Sequence, residues 1–156
     1  MRARDLAVEY ESVRVDDDAL EAARLLAERQ LPGLLVLDGD GEPKAILPAS
    51  QVVKALVPAY VVEDPALAAV VDENHADRLC EALRGRRVSD LLSDDAARPP
   101  IAAPDDTALE VAALMARVRS PLVAVADRDK AGLYLLGVIT ASQLLHRLLG
   151  PAEPHE

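Results

Sequence analysis

Asp18-Ala19-Leu20-Glu21-Ala22-Ala23-Arg24-Leu25-Leu26 and Thr107-Ala108-Leu109-Glu110-Val111-Ala112-Ala113-Leu114-Met115 are one pattern written twice, Ala19 standing 89 positions before Ala108. Small and apolar residues fall at helical spacing in both, Ala19, Ala22, Ala23 and Leu26 against Ala108, Val111, Ala112 and Met115. That spacing predicts two equivalent helices, each with one apolar face. Acidic residues and a cap precede each helix, Asp16-Asp17-Asp18 in one copy and Asp105-Asp106-Thr107 in the other. Thr107 with Glu110 makes a capping box, and Asp18 with Glu21 is its acidic version, suited to the positive end of a helix.

Outward from the helices the repetition continues. Pro32 and Pro121 end them, since the residue before a proline avoids helical backbone. Apolar runs follow, Leu34-Leu35-Val36-Leu37 and Leu122-Val123-Ala124-Val125, and each stops at an aspartate, Asp38 or Asp127. Asp38-Gly39-Asp40-Gly41 predicts a hairpin turn, and Asp127 to Gly132 predicts a longer one. Leu133 to Ile139 is apolar throughout and is expected to be buried on both faces. Short closing helices are predicted over 49–57 and 141–149, and short opening strands over 12–15 and 100–103. Each copy therefore reads β-α-β-β-α, and the fold class is α/β (α+β), two such repeats forming a duplicated module. The expected division is 1–58 for the first repeat, 59–87 for an unrepeated helical connector, 88–150 for the second repeat and 151–156 for a frayed tail. Within the connector, Asp64-Pro65 reads as a helix start. Leu67, Val70 and Val71 form one apolar stripe, Ala76, Leu79, Cys80 and Leu83 another, and Gly85 reads as the stop.

Composition narrows the class of function. The chain of 156 residues is 51% hydrophobic, yet contains no Phe, no Trp and three Tyr. Leu, Val, Ile and Ala must build its core. The same poverty in aromatics removes stacking platforms for single-stranded nucleic acid, and a formal charge of −10 repels phosphate backbones. No nucleic-acid partner is expected. One cysteine excludes an internal disulfide and fits a reducing cytosol. Neither a signal-peptide pattern nor an apolar run long enough to span a bilayer is seen, so direct membrane insertion is not expected and a cytoplasmic location is.

Gly137-Val138-Ile139-Thr140-Ala141-Ser142-Gln143 closes the second copy, and Ala45-Ile46-Leu47-Pro48-Ala49-Ser50-Gln51 holds the same place in the first. The unit order, the duplication and these strand ends resemble the CBS domain (named for cystathionine β-synthase), whose landmark is Gly, two apolar residues, Thr or Ser, two free positions, then Asp or Asn. Asp5-Leu6 and Asp90-Leu91 resemble the lead-in of such domains. The resemblance implies two units packed through their sheets about a pseudo-twofold axis, with two clefts, and pairing into a homodimer. It implies a ligand such as AMP, ATP or another adenosyl compound rather than a resident cofactor, and a regulated enzyme or transporter as partner. By that resemblance the cleft residues are Thr140, Gln143, Ile139, Arg119, Pro121, Leu122, Ile101 and Gln51.

This chain departs from the landmark where chemistry matters. Gln143 replaces the acid, and an amide holds a ribose diol less strongly than a carboxylate does. Pro48 replaces the first copy's Thr and has neither hydroxyl nor N–H, so that cleft is the poorer one. Each candidate also has a plainer reading. Thr140 caps its helix whether or not it touches a ligand, Gln51 and Gln143 suit an interface as well as a ligand, and Arg119, Pro121 and Leu122 end a helix. Asp16 to Asp18 read better as a cap and solvated turn than as a cation site, and His75 and Cys80, five apart, do not share a helix face. No metal site and no catalytic residues are expected. The leading expectation is a non-catalytic regulatory module sensing an adenine nucleotide; the alternative is a dimerisation module with degenerate clefts.

Overall fold

The computed structural model describes residues 1–57, 63, 64, 66, 79–92, 98–129 and 132–150. In chain order the elements are α1 (Ala3–Leu6), β1 (Ser12–Arg14), α2 (Ala19–Arg29), β2 (Gly33–Leu37), β3 (Pro43–Pro48) and α3 (Ala49–Leu56). A 3-10 segment (Leu79–Leu83) follows, then α4 (Val88–Leu91), β4 (Ile101–Ala102), α5 (Ala108–Val118), β5 (Leu122–Asp129), β6 (Gly132–Thr140) and α6 (Ala141–Leu149). Two three-stranded sheets result, β1-β2-β3 and β4-β5-β6, each with a parallel pair followed by an antiparallel one. Even their register shifts match, at Val36/Leu37 and Val125/Ala126. The expected β-α-β-β-α repeat is present twice.

The acidic turns act through hydrogen bonds. Asp18 Oδ2 accepts from the Glu21 N–H at 3.1 Å, and Thr107 Oγ1 from the Glu110 N–H at 3.2 Å, so both helices start at the expected caps. Asp17 and Asp106 accept from the N–H of Arg14 and Ala103, closing the turn ahead of each cap. These contacts satisfy backbone donors that a helix start and a tight turn leave free. The helix ends differ from expectation in one respect. Before either proline, Gln30 and Arg119 take left-handed backbone with φ of 52° and 53°. A left-handed residue normally calls for glycine at such a place, and neither sequence position advertises it.

Burial divides the molecule into two cores and a seam. In the first half Leu34 and Val36 of β2 point into a core with Leu26 of α2 and Leu47 of β3. Leu35, between them, points the other way, as alternation along a strand requires. It meets Leu122 and Val138 of the second half, with Tyr10, Leu37, Ile46 and Leu135 against them. The second core gathers Val111, Met115, Val123, Val125 and Ile139. Strands β2 and β5 are covered on both faces, which is why each reads as an unbroken apolar run.

The lead-in helices are exchanged between the halves. Ala3 and Leu6 of α1 are buried in the second core, and Val88 and Leu91 of α4 in the first. Ala3 and Arg4 donate to the carbonyls of Asp106 and Pro104 at 2.7 and 3.0 Å. Val88 and Ser89 donate to Asp17 and Val15 at 2.9 Å each. Past α1, Val8 and Val138 trade two backbone hydrogen bonds, laying the N-terminal segment along β6. Gly137 permits that approach, since a Cβ there would lie 2.8 Å from the Val8 carbonyl oxygen.

Three expectations change. Asp127, Arg128 and Asp129 pair with Tyr134, Leu133 and Gly132, so the extra residues of the second hairpin lengthen its strands and not its loop. Polar residues continue a ladder as readily as they form a loop when both faces are solvated. For the same reason Leu133 to Ile139 is not buried throughout. Gly137 to Ile139 are buried, but Tyr134 and Leu136, farther along the hairpin, are 46% and 43% exposed. The opening strands are also shorter than expected, three residues and two. Of the connector, Leu79–Leu83 is a 3-10 turn and Gly85 has a φ of +76°. Asp64 Oδ1 accepts from the Ala66 N–H, as at a helix start. The stripe of Leu67, Val70 and Val71, together with Ala76, His75 and the tail, lies outside the described residues.

Two tests follow from the seam. Leu35→Ala should cost about 2–5 kcal/mol in denaturant unfolding, the range for emptying a packed core position, while Leu109→Ala on the exposed face of α5 should cost little. Tyr10 donates its hydroxyl proton to the Gly33 carbonyl at 2.7 Å, and burial pushes its phenol above the ordinary value of 10.0. A raised phenol makes ionisation harder in the folded state, so its stabilisation is full below the unfolded pKa and fades as pH rises through the folded one. Between about pH 9 and about pH 11 the wild type should lose more stability than Tyr10→Phe does; parallel losses would exclude the seam as the source.

Candidate functional site

The junction where β6 passes into α6 holds most of the candidate residues. Thr140 pairs in register with Leu122, and the Ala141 N–H donates to the Pro121 carbonyl at 3.0 Å, which fixes the start of α6 against the start of β5. Thr140 is half-buried and caps α6: its Oγ1 accepts from the Gln143 N–H at 3.2 Å. Gln143 Oε1 in return accepts from the Thr140 N–H at 3.2 Å and from its hydroxyl at 3.3 Å. The two landmark side chains thus satisfy each other. What the junction still offers is the positive end of a nine-residue helix, the exposed Ser142 and the amide donors of Gln143.

The equivalent junction of the first half has the same backbone and different chemistry. The Ala49 N–H donates to the Pro32 carbonyl at 3.0 Å, and Gly33 pairs with Pro48. Pro48 occupies the cap of α3 and makes no side-chain hydrogen bond there. Its ring nitrogen has no proton for Gln51 to accept, so the reciprocal box of the second half has no counterpart. Gly33 also stands where the second half has Leu122. The Tyr10 hydroxyl reaches its carbonyl, and a Cβ at Gly33 would come within 3.0 Å of the Leu47 carbonyl oxygen.

Thr140, Gln143, Pro121 and Leu122 are therefore brought together, with Arg119 exposed at the left-handed end of α5 two residues before Pro121. The side chains of Ile139 and Leu122 are fully buried, the first in the second core and the second in the seam. Ile101, half-buried, pairs with Ala124 farther along β5 and lines a different cleft, near the hairpins. Gln51, half-buried, belongs to the first half's junction. Sequence reasoning missed Tyr10, which alone among the described tyrosines is packed into the seam by a contact 23 residues distant. Its one signal was rarity, as an aromatic in a chain with three. The acidic turn residues Asp17 and Asp18 are committed to backbone N–H groups, the plainer of their two readings.

Comparison with known proteins agrees with this geometry. The CBS domain family matches residues 3–58 and 88–150. Among solved structures, a CBS domain-containing protein of unknown function from Kribbella flavida DSM 17836 is 49% identical, with 96% of this chain and 99% of that one covered and a TM-score of 0.86. The CBS domain of a CBS domain containing membrane protein from Sphaerobacter thermophilus is 24% identical, over 93% of this chain and 86% of that one, with a TM-score of 0.66. CBSX2 in complex with AMP is 18% identical over 95% and 96%, with a TM-score of 0.64, and shares the fold. A search of curated proteins gives no match. Two halves of one β-α-β-β-α plan, a family match to each and a relative half identical along its full length make this chain a tandem pair of CBS domains, a member of the CBS domain family.

Proposed function

We propose that this protein is a ligand-sensing regulator whose Thr140 junction takes an adenine nucleotide or a related adenosyl compound and whose response is read by a partner protein. A CBS pair is a regulatory, non-catalytic module. The observation that carries the ligand is Thr140 itself, a hydroxyl at a helix start, held where the second sheet meets the seam. A helix N-terminus favours phosphate through its free N–H groups and its positive end. The AMP in the structure of CBSX2, a protein of the same fold, supports the choice of ligand class. Ligand held beside Leu122 would favour one packing of the seam over another, and a partner that distinguishes the two packings would respond. An enzyme or transporter is the partner envisaged, in the cytoplasm. Among the described residues no helix is long and apolar enough to cross a membrane.

A second copy of the chain is the other partner this reading requires. The outer face of α6 exposes Leu145, Leu148 and Leu149, at 57%, 49% and 79%, and α3 exposes Val53. Apolar helix faces of this kind are stabilised by being covered. The competing reading, a dimerisation module with lapsed clefts, draws on Pro48 and on the closed Thr140–Gln143 box, which a ligand would have to loosen.

Calorimetry with AMP, ATP, adenosine and S-adenosylmethionine separates the two readings. Saturable heat and a raised melting temperature are expected for at least one, because a ligand that binds the folded state stabilises it. Silence for all four at millimolar concentration favours the lapsed clefts. Thr140→Ala should weaken binding by roughly tenfold or more while costing about 1 kcal/mol of stability, the worth of a cap. Unchanged affinity would leave Thr140 as a cap alone. Leu145→Glu with Leu148→Glu should turn a dimer into a monomer in analytical ultracentrifugation; an unchanged sedimentation coefficient would move the dimer contact elsewhere.

A further inference from the structure

The two hairpins, at the opposite end of β5 and β6 from the Thr140 junction, face each other across a cleft of about 710 Å³. Its walls come from three places: the β2–β3 turn of the first half, the approach to β4 at Arg98, and the lengthened β5–β6 hairpin of the second half. The cleft is built and not merely adjacent surface. Glu42 Oε1, on the first hairpin, accepts from the Leu133 N–H of the second at 2.9 Å. Gly132 beside it has a φ of +127°, one that side chains rarely adopt, and a Cβ there would push the Glu42 carboxylate aside from 2.7 Å.

Three cations, Lys44, Arg98 and Arg128, line this space together with three acids, Asp38, Glu42 and Asp129. The acids already have partners. Asp38 Oδ1 accepts from the N–H groups of Asp40 and Glu42 at 2.9 and 3.0 Å, closing its own turn. Glu42 holds Leu133, and Asp129 is likewise engaged. Among the described residues, neither the ammonium of Lys44 nor the guanidinium of Arg98 or Arg128 makes a hydrogen bond or ion pair. The cleft therefore balances three charges of each sign, but its cations have no bond of their own, while Asp38 and Glu42 are held by backbone N–H groups. Each guanidinium carries a planar fork suited to two oxygens of one carboxylate or phosphate. Leu133, Ile101 and Pro43 give the same space an apolar side. In a chain of charge −10, a cleft where three cations offset three acids repels an anion less than the surface does on average.

We propose that this cleft is a second binding site, for a small ligand carrying two or more phosphate or carboxylate groups. The ligand bridges the hairpins of the two halves, so its occupancy depends on how they sit across the seam. The proposal stands apart from the nucleotide reading of the Thr140 junction.

Inorganic pyrophosphate and citrate, titrated separately by calorimetry at low and at physiological salt, test it. At least one should bind saturably below about 10 mM, and more weakly as salt rises, since exposed charges are screened. Binding of only one names the group recognised. Lys44→Gln with Arg128→Gln should weaken that binding at least about tenfold, and Arg98→Gln alone should weaken it less. Thr140→Ala should leave it unchanged. All these side chains are exposed or half-buried, and circular-dichroism melts will show each variant folded. No saturable heat from either anion, or equal affinity in the folded double variant, would overturn the proposal.

Discussion

Exchange of the lead-in helices is the constraint on which the rest of the molecule depends. Ala3 and Leu6 complete the second core, and Val88 and Leu91 complete the first. Their backbones are tied to the turns ahead of α5 and α2 by hydrogen bonds of 2.7 to 3.0 Å. Each turn is one that Asp17 or Asp106 has already closed. Removing either lead-in would expose an apolar socket in the opposite half and leave backbone carbonyls without partners, so each half has a core that the other must finish. The seam of Leu35, Leu122 and Val138 then closes over its remaining apolar surface.

That arrangement also places the two proposed binding surfaces. The Thr140 junction sits where β6 leaves the seam, paired in register with Leu122. The hairpin cleft lies at the far end of the same strands, and Glu42 joins the halves across it. A ligand at either place touches residues whose positions are set by the contact between halves. Coupling between the two proposed sites would need no dedicated pathway beyond the seam, because ligands at both would bias one packing of the halves.

Local pattern carried most of the fold. The caps at Asp18 and Thr107, the β-α-β-β-α order of elements and the closing helices follow from signals within a few residues of each other. Thr140 is equally legible as a cap, a local device, whereas Gln143, read as a ligand or interface residue, also completes the capping box with it. What escaped the sequence is non-local or hidden by uniformity. Nothing near Ala3 or Val88 says that each will cross to the other half. The apolar run from Leu122 to Val125 has no visible alternation, because both faces of β5 are buried, so the side-chain directions of Leu122 and Ile139 could not be assigned. Asp127-Arg128-Asp129 looked like a loop because solvated strand and loop share a composition. Gln30 and Arg119 adopt left-handed backbone with no residue preference to announce it. Lys44, Arg98 and Arg128 are three scattered charges until folding brings their segments to one cleft.

Native-state hydrogen exchange tests the mutual completion of the halves most directly. The amides of Ala3 and Val88, which bond across the exchange, and of Val138, which bonds to Val8, should be followed as denaturant rises toward the unfolding midpoint. If neither half has a core of its own, core amides of both halves and these three should converge on a single opening free energy equal to that of global unfolding. Amides of β5 and β6 that stay protected while those of β2 and β3 exchange through a separate, lower-energy opening would contradict the account.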